Sequence, residues 1–221
     1  MSMELGKKTG QNSCLRTPNN PIIPIMIHVD HYYLFIAQRL KDACLVHLCN
    51  EAQAANQTTA IFTQSISETR RVSHLLDALN IRAVSLHCDL SLSERAASLG
   101  KLRRKECPVI VTTDIAANLG PIMIPMVNRI INYGVTAWRM TPKTYTQRTS
   151  HIAHTENPGQ VITLITEYDV EFYLRLKDDV ALKEHTVNMD TVMTCREQVK
   201  EAAREDPSLI ESPFLQGRGR N

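Results

Sequence analysis

The sequence predicts an α/β fold, a parallel sheet with helices on both faces. Three observations predict it. Short β-branched runs alternate with helical patterns through most of the chain. The connections between them are short. The strand runs are apolar throughout and do not alternate with polar residues, as expected of strands covered on both faces.

Each element has its own signal. Order is expected to begin near "IPIMIHVDHYYLFI" (23–36), and "AQRLKDACLVHLCNEAQ" (37–53) follows as a helix with Leu40, Cys44, Leu45 and Leu48 on one side. "TTAIFT" (58–63) is a dense apolar strand. "SISETRRVSHLLDALN" (65–80) is a helix that turns Val72, Leu75, Leu76 and Leu79 inward, and "RAVSLH" (82–87) is a strand. In "SLSERAASLGKLRRK" (91–105), Ser91 and Glu94 have the spacing of a capping box. "PVIVTTD" (108–114) and "MVNRIINY" (126–133) are strands. "TPKTYTQRTSHIAH" (141–154) opens a helix with Thr141 as cap and Pro142 at the first helical position, where its missing N–H costs nothing. "GQVITLIT" (159–166) is a strand and "YDVEFYLRLKDDV" (168–180) a helix. Beyond 180 the pattern weakens; "MDTVMTCREQVKEAARED" (189–206) reads as a helix packed on the domain, and "FLQGRGRN" as a solubilising end.

This divides the chain into a polar leader or linker at 1–24, a domain at 25–180 and a C-terminal extension at 181–221, partly helical. In parallel sheets of this kind, functional groups gather at the carboxyl ends of the strands. Those ends carry Thr63-Gln64-Ser65, His87-Cys88-Asp89, Thr112-Thr113-Asp114 and Tyr133-Gly134.

Composition narrows the function. With 25 basic and 23 acidic residues the net charge is +2, which argues neither for nor against nucleic acid, because a local basic surface is enough. The six cysteines contain no CxxC pair, which disfavours a zinc knuckle and suits reduced thiols in a cytosolic or nuclear protein. No run is long and apolar enough to span a membrane, and no membrane partner is expected. GxxxxGK[ST], HExxH, GxSxG and GxGxxG are all missing from the sequence.

Four strand-end segments occur in a telling order: "AIFTQS" (60–65), "AVSLHCDLSLSERAASLGKLR" (83–103), "VIVTTDIA" (109–116) and "VNRIINY" (127–133). Together they resemble the C-terminal RecA-like lobe of DEAD-box ATP-dependent RNA helicases, over about residues 27 to 180. "HYYLFIAQRLKDACLVHL" is similar to the start of that lobe in the nucleolar ribosome-biogenesis members. In this family two lobes close over ATP and single-stranded RNA, and the first carries the P-loop and the DEAD carboxylates.

The resemblance implies several contacts. Thr63 and Gln64 would lie near the RNA backbone. Arg70 or Arg71 matches an arginine on the following helix, and Arg95 joins the RNA set. Thr113 would contact phosphate, and Asp114 would order the local loops. Hydroxyls, N–H groups and helix starts can hold a sugar-phosphate chain without reading bases. For Thr63 and Thr113 the plain alternative is strand-end capping; for the arginines it is a solvated helix face.

The nucleotide side departs from the family. Where the family reads TDVASRGLDIP, this chain reads "TDIAANLGPIMIP" (113–125), with Asn118 in the arginine position and no aspartate to reach the nucleotide sugar. Where the family reads HRVGRTARAGR, Arg148 keeps the first arginine while His151 and His154 replace the second and third. On a helix their i, i+3, i+6 spacing drifts only moderately around the axis, so all three can face the interlobe cleft. An arginine finger offers a fixed, permanently charged fork, contributing roughly 10³ to 10⁵ in rate in related hydrolases. Histidine is shorter and mostly neutral near pH 7. Arg148, His151 and His154 are therefore the degenerate catalytic positions, and Asn118, Arg148 and His151 the degenerate nucleotide positions. ATP and Mg²⁺ are implied only through a first lobe, and none is expected for this chain alone. Two histidines three apart could share an ion, but no third ligand is fixed, so no metal site is expected.

Three readings follow. One is a second lobe with weak or no ATPase activity, acting through RNA and an N-terminal RecA-like lobe in cis. Another is a lobe of an active helicase whose first domain lies outside this chain. The third is a non-catalytic scaffold for ribosome-assembly proteins. The resemblance implies a nuclear, nucleolar location; without it, a cytoplasmic one.

Overall fold

The computed structural model describes residues 29–117, 124–135, 140–152 and 159–210. Seven strands form a single all-parallel sheet: β1 (Val29–Phe35), β2 (Thr59–Thr63), β3 (Ala83–Leu86), β4 (Val109–Thr113), β5 (Arg129–Asn132), β6 (Gly159–Ile165) and β7 (Lys183–Glu184). Their order across the sheet is β3-β4-β2-β5-β6-β1-β7. The connecting helices are α1 (Lys41–Ala54), α2 (Ile66–Ala78), α3 (Leu92–Arg103), α4 (Asp114–Ala117), α5 (Pro142–Thr149), α6 (Val170–Asp179) and α7 (Met189–Glu205).

Adjacent residues of each strand feed opposite faces, because side chains alternate along a strand. Ile61, Val111, Ile131 and Ile162 enter one core cluster with Leu45 and Leu48 of α1, Val72 and Leu76 of α2, and Val192 and Cys195 of α7. Phe62, Ile110, Ile130 and Val161 enter the other, with Leu99 and Leu102 of α3, Tyr145 of α5, and Phe172 and Leu176 of α6. Burial of both faces is why the strands read as unbroken apolar runs.

The caps set the helix starts. Ser65 accepts from the Glu68 N–H at the head of α2. Ser91 and Glu94 form the reciprocal capping box of α3. Thr141 accepts from the Thr144 N–H, with Pro142 in the first turn of α5.

One feature goes beyond the sequence reading, which gave its residues no element type, and one differs from it. The polar, aromatic "VDHYYLF" is a strand, β1, paired with β6 along its whole length and with β7 at Tyr32 and Tyr33. Helix α5 stops at Thr149 and does not run on to 154. The Val127 N–H donates to the His151 carbonyl at 2.8 Å, and Val127 and Ile152 form a parallel bridge. Pairing with the segment before β5 thus draws the chain out of the helix. Residues 1–24 of the expected leader, Asn118, His154 and the "GRGR" tip lie outside the described residues.

Candidate functional site

The strand register aligns the carboxyl ends. Thr63 stands opposite Thr113, and Phe62 opposite Asn132, so β2, β4 and β5 finish at one level. A cleft of about 290 Å³ opens there, with Thr63, Gln64, Thr113, Asp114, Gly134 and Arg148 in its wall. The residues that sequence reasoning singled out on β2, β4 and α5 therefore share one site.

Arg148 is the centre of that wall and is only 3% exposed. Its Nε and Nη2 donate to the two Asp114 carboxylate oxygens at 2.6 and 2.8 Å. Its Nη1 donates to Asn132 Oδ1 at 2.9 Å and to the Gly134 carbonyl at 3.3 Å. The guanidinium also lies 4.9 Å from the centre of the Phe62 ring. This is a bidentate, charge-assisted pair backed by a neutral amide. All three guanidinium nitrogens donate inside the domain.

His151 sits in the turn beyond α5 and is 2% exposed. Its ring stacks on Phe62 at 6.2 Å, with the planes 27° apart. Burial holds its pKa below the usual imidazole range, against the opposing effect of a hydrogen bond with the Ile124 backbone. The expectation that residues 148 and 151 share one helix facing the cleft is thus corrected in part: Arg148 lines the cleft, and His151 lies beyond the helix and outside the cleft lining. The helix ends between them, and both side chains pack inward on the same aromatic ring.

The two neighbouring arginines of α2 separate. Arg71 is half-buried against α1, donating to Asp42 at 2.9 and 3.1 Å, to the Tyr133 hydroxyl at 2.7 Å and to the Leu209 carbonyl at 3.0 Å. Arg70 points outward, its side chain 57% exposed, and pairs with Asp89 at 2.7 Å. Arg95 donates to the Leu90 and Cys88 carbonyls at 2.9 and 2.7 Å and so ties down the loop after β3.

The hydroxyls are also engaged. Thr63 Oγ1 lies 2.6 Å from Thr69 Oγ1 and donates to the Thr112 carbonyl at 3.1 Å. The Gln64 N–H donates to a Glu68 carboxylate oxygen at 2.7 Å. Among the described residues no group of three His, Cys, Asp or Glu is placed to hold a metal ion.

Sequence reasoning missed Asn132 and Glu68, and placed Gly134 at a strand end without giving it a role. Asn132 is fully buried and bridges Arg148 to Thr163, to which its Nδ2 donates at 3.0 Å. An asparagine inside "RIIN" was the available signal, because a buried amide demands partners. Gly134 allows a close approach, since a Cβ there would lie 2.7 Å from the Gln64 nitrogen and 2.6 Å from Gln64 Cγ. Glu68 was legible only as part of a cap.

Comparison with known proteins agrees with this architecture. Residues 40–156 match the family described as Helicase conserved C-terminal domain. The chain is similar to the ATP-dependent rRNA helicase rrp3 of Aspergillus fumigatus, 38% identical over 175 residues that make up 78% of this chain and 36% of that protein. It is similar to rrp-3 of Neurospora crassa, 37% identical over 191 residues, 84% of this chain and 36% of that protein. The chain thus spans about a third of the length of these curated relatives. In fold it resembles the E. coli DEAD-box protein SrmB, solved bound to regulator of ribonuclease activity A, with a TM-score of 0.65, 20% identity and coverage of 74% of this chain and 93% of that one. It also resembles Mss116p DEAD-box helicase domain 2, solved bound to an RNA duplex, with a TM-score of 0.64, 16% identity and coverage of 81% and 72%.

Proposed function

The chain belongs to the helicase conserved C-terminal domain family, in its DEAD-box branch, and from that premise we propose that it serves as the second RecA-like lobe of an RNA helicase-like protein, contributing RNA and interlobe contacts with weak or no ATP hydrolysis. Residues 25–180 would form the lobe, 1–24 the approach to it and 181–221 an extension. The names of the rRNA helicase relatives support a role in ribosome biogenesis, and with it a nucleolar location.

One observation carries the reading of weak activity: four of the five N–H donors of Arg148 are spent inside the domain. Its guanidinium is bidentate to Asp114 and bound to Asn132 and Gly134. A phosphoryl group developing charge needs preorganised donors aimed at it. His151 offers a buried ring held toward its neutral form. The described residues therefore do not fit a nucleotide phosphate, and no step through ATP or Mg²⁺ is assigned to them. The sugar-phosphate contacts fare better. Gln64, Thr113 and the exposed Arg70 lie along one edge, where backbone groups and a cation can follow an RNA strand without reading its bases.

The test joins this chain to the N-terminal part of the Aspergillus fumigatus relative and measures ATP turnover with and without single-stranded RNA. The expected result is RNA binding that weakens steeply as salt rises, with turnover little above the RNA-free rate. RNA stimulation equal to that of the intact relative would refute the weak-hydrolysis reading. Absence of RNA binding at low salt would favour the protein-scaffold alternative.

A further inference from the structure

A second depression lies on the same strand-end edge, past β6 and β1. It is a groove of about 930 Å³ between the residues after β1, the β6–α6 turn, the end of α7 and the 3₁₀ turn Pro207–Leu209. We infer that this groove binds an acidic segment of a partner protein, anchored by large apolar side chains. The inference is independent of the ATPase reading.

The first argument is shape. The floor is apolar, with Val199 and Ala203 of α7 and the buried Leu209. At the rim Tyr168 is 69% exposed and Ile210 58% exposed. A volume of this size exceeds what a single side chain fills and suits one or two turns of helix or a short extended peptide. Exposed apolar groups that converge on a concavity mark an interaction site better than scattered ones do.

The second argument is rigidity. The 3₁₀ turn that forms one wall is tied to the domain body. Arg71 donates to the Leu209 carbonyl at 3.0 Å, and Asp206 caps the turn by accepting from the Ser208 N–H at 2.9 Å. Arg71 is itself fixed by Asp42 and Tyr133. A preformed groove keeps the ordering cost of binding low.

The third argument is charge, and it selects the occupant. Two acids line the groove; Asp42 is paired with a cation of the domain, whereas Glu167 is hydrogen-bonded to an amide and keeps its charge. Asp42 accepts from Arg71 and from the Tyr133 hydroxyl, and Glu167 accepts from the Gln38 N–H at 3.0 Å. The cations are disposed differently. Arg39 is exposed and has no ion pair among the described residues. Lys200 and Arg204 pair only along α7, with Glu197 and Glu201 three residues before each, on solvent-exposed surface. Exposed pairs of that kind hold weakly in water and leave the cations open to a partner's carboxylates. The lining carries three cations against two acids, one of which is already ion-paired, so its own charge is net positive and flanks an apolar floor. Acidic residues spaced around apolar anchors would complement both.

The experiment selects displayed random peptides of about 16 residues on the full chain, and then measures the affinity of the enriched sequences. Enriched peptides are expected to be net acidic with at least two large apolar residues. They should lose about tenfold in affinity against Arg39→Glu/Arg204→Glu and against Tyr168→Ala/Ile210→Ala, as loss of anchors in a small interface does. Lys101→Glu, on the exposed surface of α3, should leave binding unchanged. All the substituted groove residues are exposed, and circular dichroism confirms that the variants fold. Neutral or basic enriched sequences, or binding indifferent to both groove variants, would overturn the inference. So would an oligouridine of about 12 nucleotides that binds in a manner lost with the groove variants, since the groove would then be an RNA track.

Discussion

Removing Arg148 should destabilise the domain before it changes any chemistry. The guanidinium is 3% exposed and holds the Asp114 carboxylate by two bonds of 2.6 and 2.8 Å. In Arg148→Ala that carboxylate loses its cation, and the fully buried Asn132 Oδ1 loses its donor. Breaking a buried pair by deleting one partner costs about 3–5 kcal/mol. The Asp114 side chain is 34% exposed, so water recovers part of that cost and the lower figure applies. The orphaned amide oxygen adds to it, with the usual penalty about 1–3 kcal/mol, but water entering the vacated space offsets some of this. A net loss of about 3 kcal/mol is expected. Urea unfolding with an m-value of about 2 kcal/mol/M would show a midpoint lowered by about 1.5 M. Arg148→Lys keeps the charge without the fork, and should fall between wild type and alanine. A double-mutant cycle with Asp114→Asn isolates the pair, with an expected coupling of about 2 kcal/mol. A midpoint shift below about 0.3 M for Arg148→Ala, within the range of ordinary surface changes, would show that the arginine is not held as described, and would return it to the pool of ligand-facing groups.

Three further outcomes are expected. His151→Arg places a guanidinium at a 2%-exposed site against Phe62, so stability should drop by about 2 kcal/mol or more in urea unfolding; RNA-stimulated ATP turnover of the two-lobe protein should rise little or not at all, even with His154→Arg added. Acid should weaken the fold in a defined window. His31, held down at about 4 by burial and hydrogen-bonded to Tyr145 at 2.8 Å, takes up its proton near 6.5 when unfolded, so the unfolded chain binds more protons between those values. Stability is full above pH 6.5 and falls toward pH 4 by about 3 kcal/mol; His31→Gln should flatten the urea midpoint against pH, and an unchanged slope would exclude His31 as its source. Gly134→Ala would bring a Cβ to 2.7 Å from the Gln64 backbone nitrogen, costing about 1–3 kcal/mol and shifting the Gln64 amide resonance.

Much of the fold was legible because both sheet faces are buried. β2, β4, β5 and β6 read as strands from their apolar runs, and Ser91 and Thr141 marked the helix starts. β1 was harder, because "VDHYYLF" mixes charge with aromatics and becomes a strand through its pairing with β6. The candidate site was legible in its place, at the strand ends, but not in its geometry. Arg70 and Arg71 are adjacent, and neighbours on a helix point about 100° apart; only the packing of α1 decides which one turns inward to Asp42. The end of α5 was invisible for a similar reason, because it is set by a bridge to Val127, more than twenty positions upstream. Long-range partners of this kind leave no local signature.

That same distance separates two explanations for the arginine at 148. In the motif that the sequence resembles, an arginine at this point suggests phosphate chemistry. The structure supplies a different reason for it. Asp114 lies 34 positions earlier, just after β4, Asn132 lies at the end of β5, and Arg148 ties both to α5. A group whose loss costs about 3 kcal/mol matters in a domain whose whole stability is about 5–15 kcal/mol. The fold therefore explains the arginine at 148 whether or not ATP is hydrolysed. The position next along the motif carries no such constraint, because a neutral ring fills the space beside Phe62 without a charge to satisfy. Arginine at 148 and histidine at 151 are then consistent with one principle, burial.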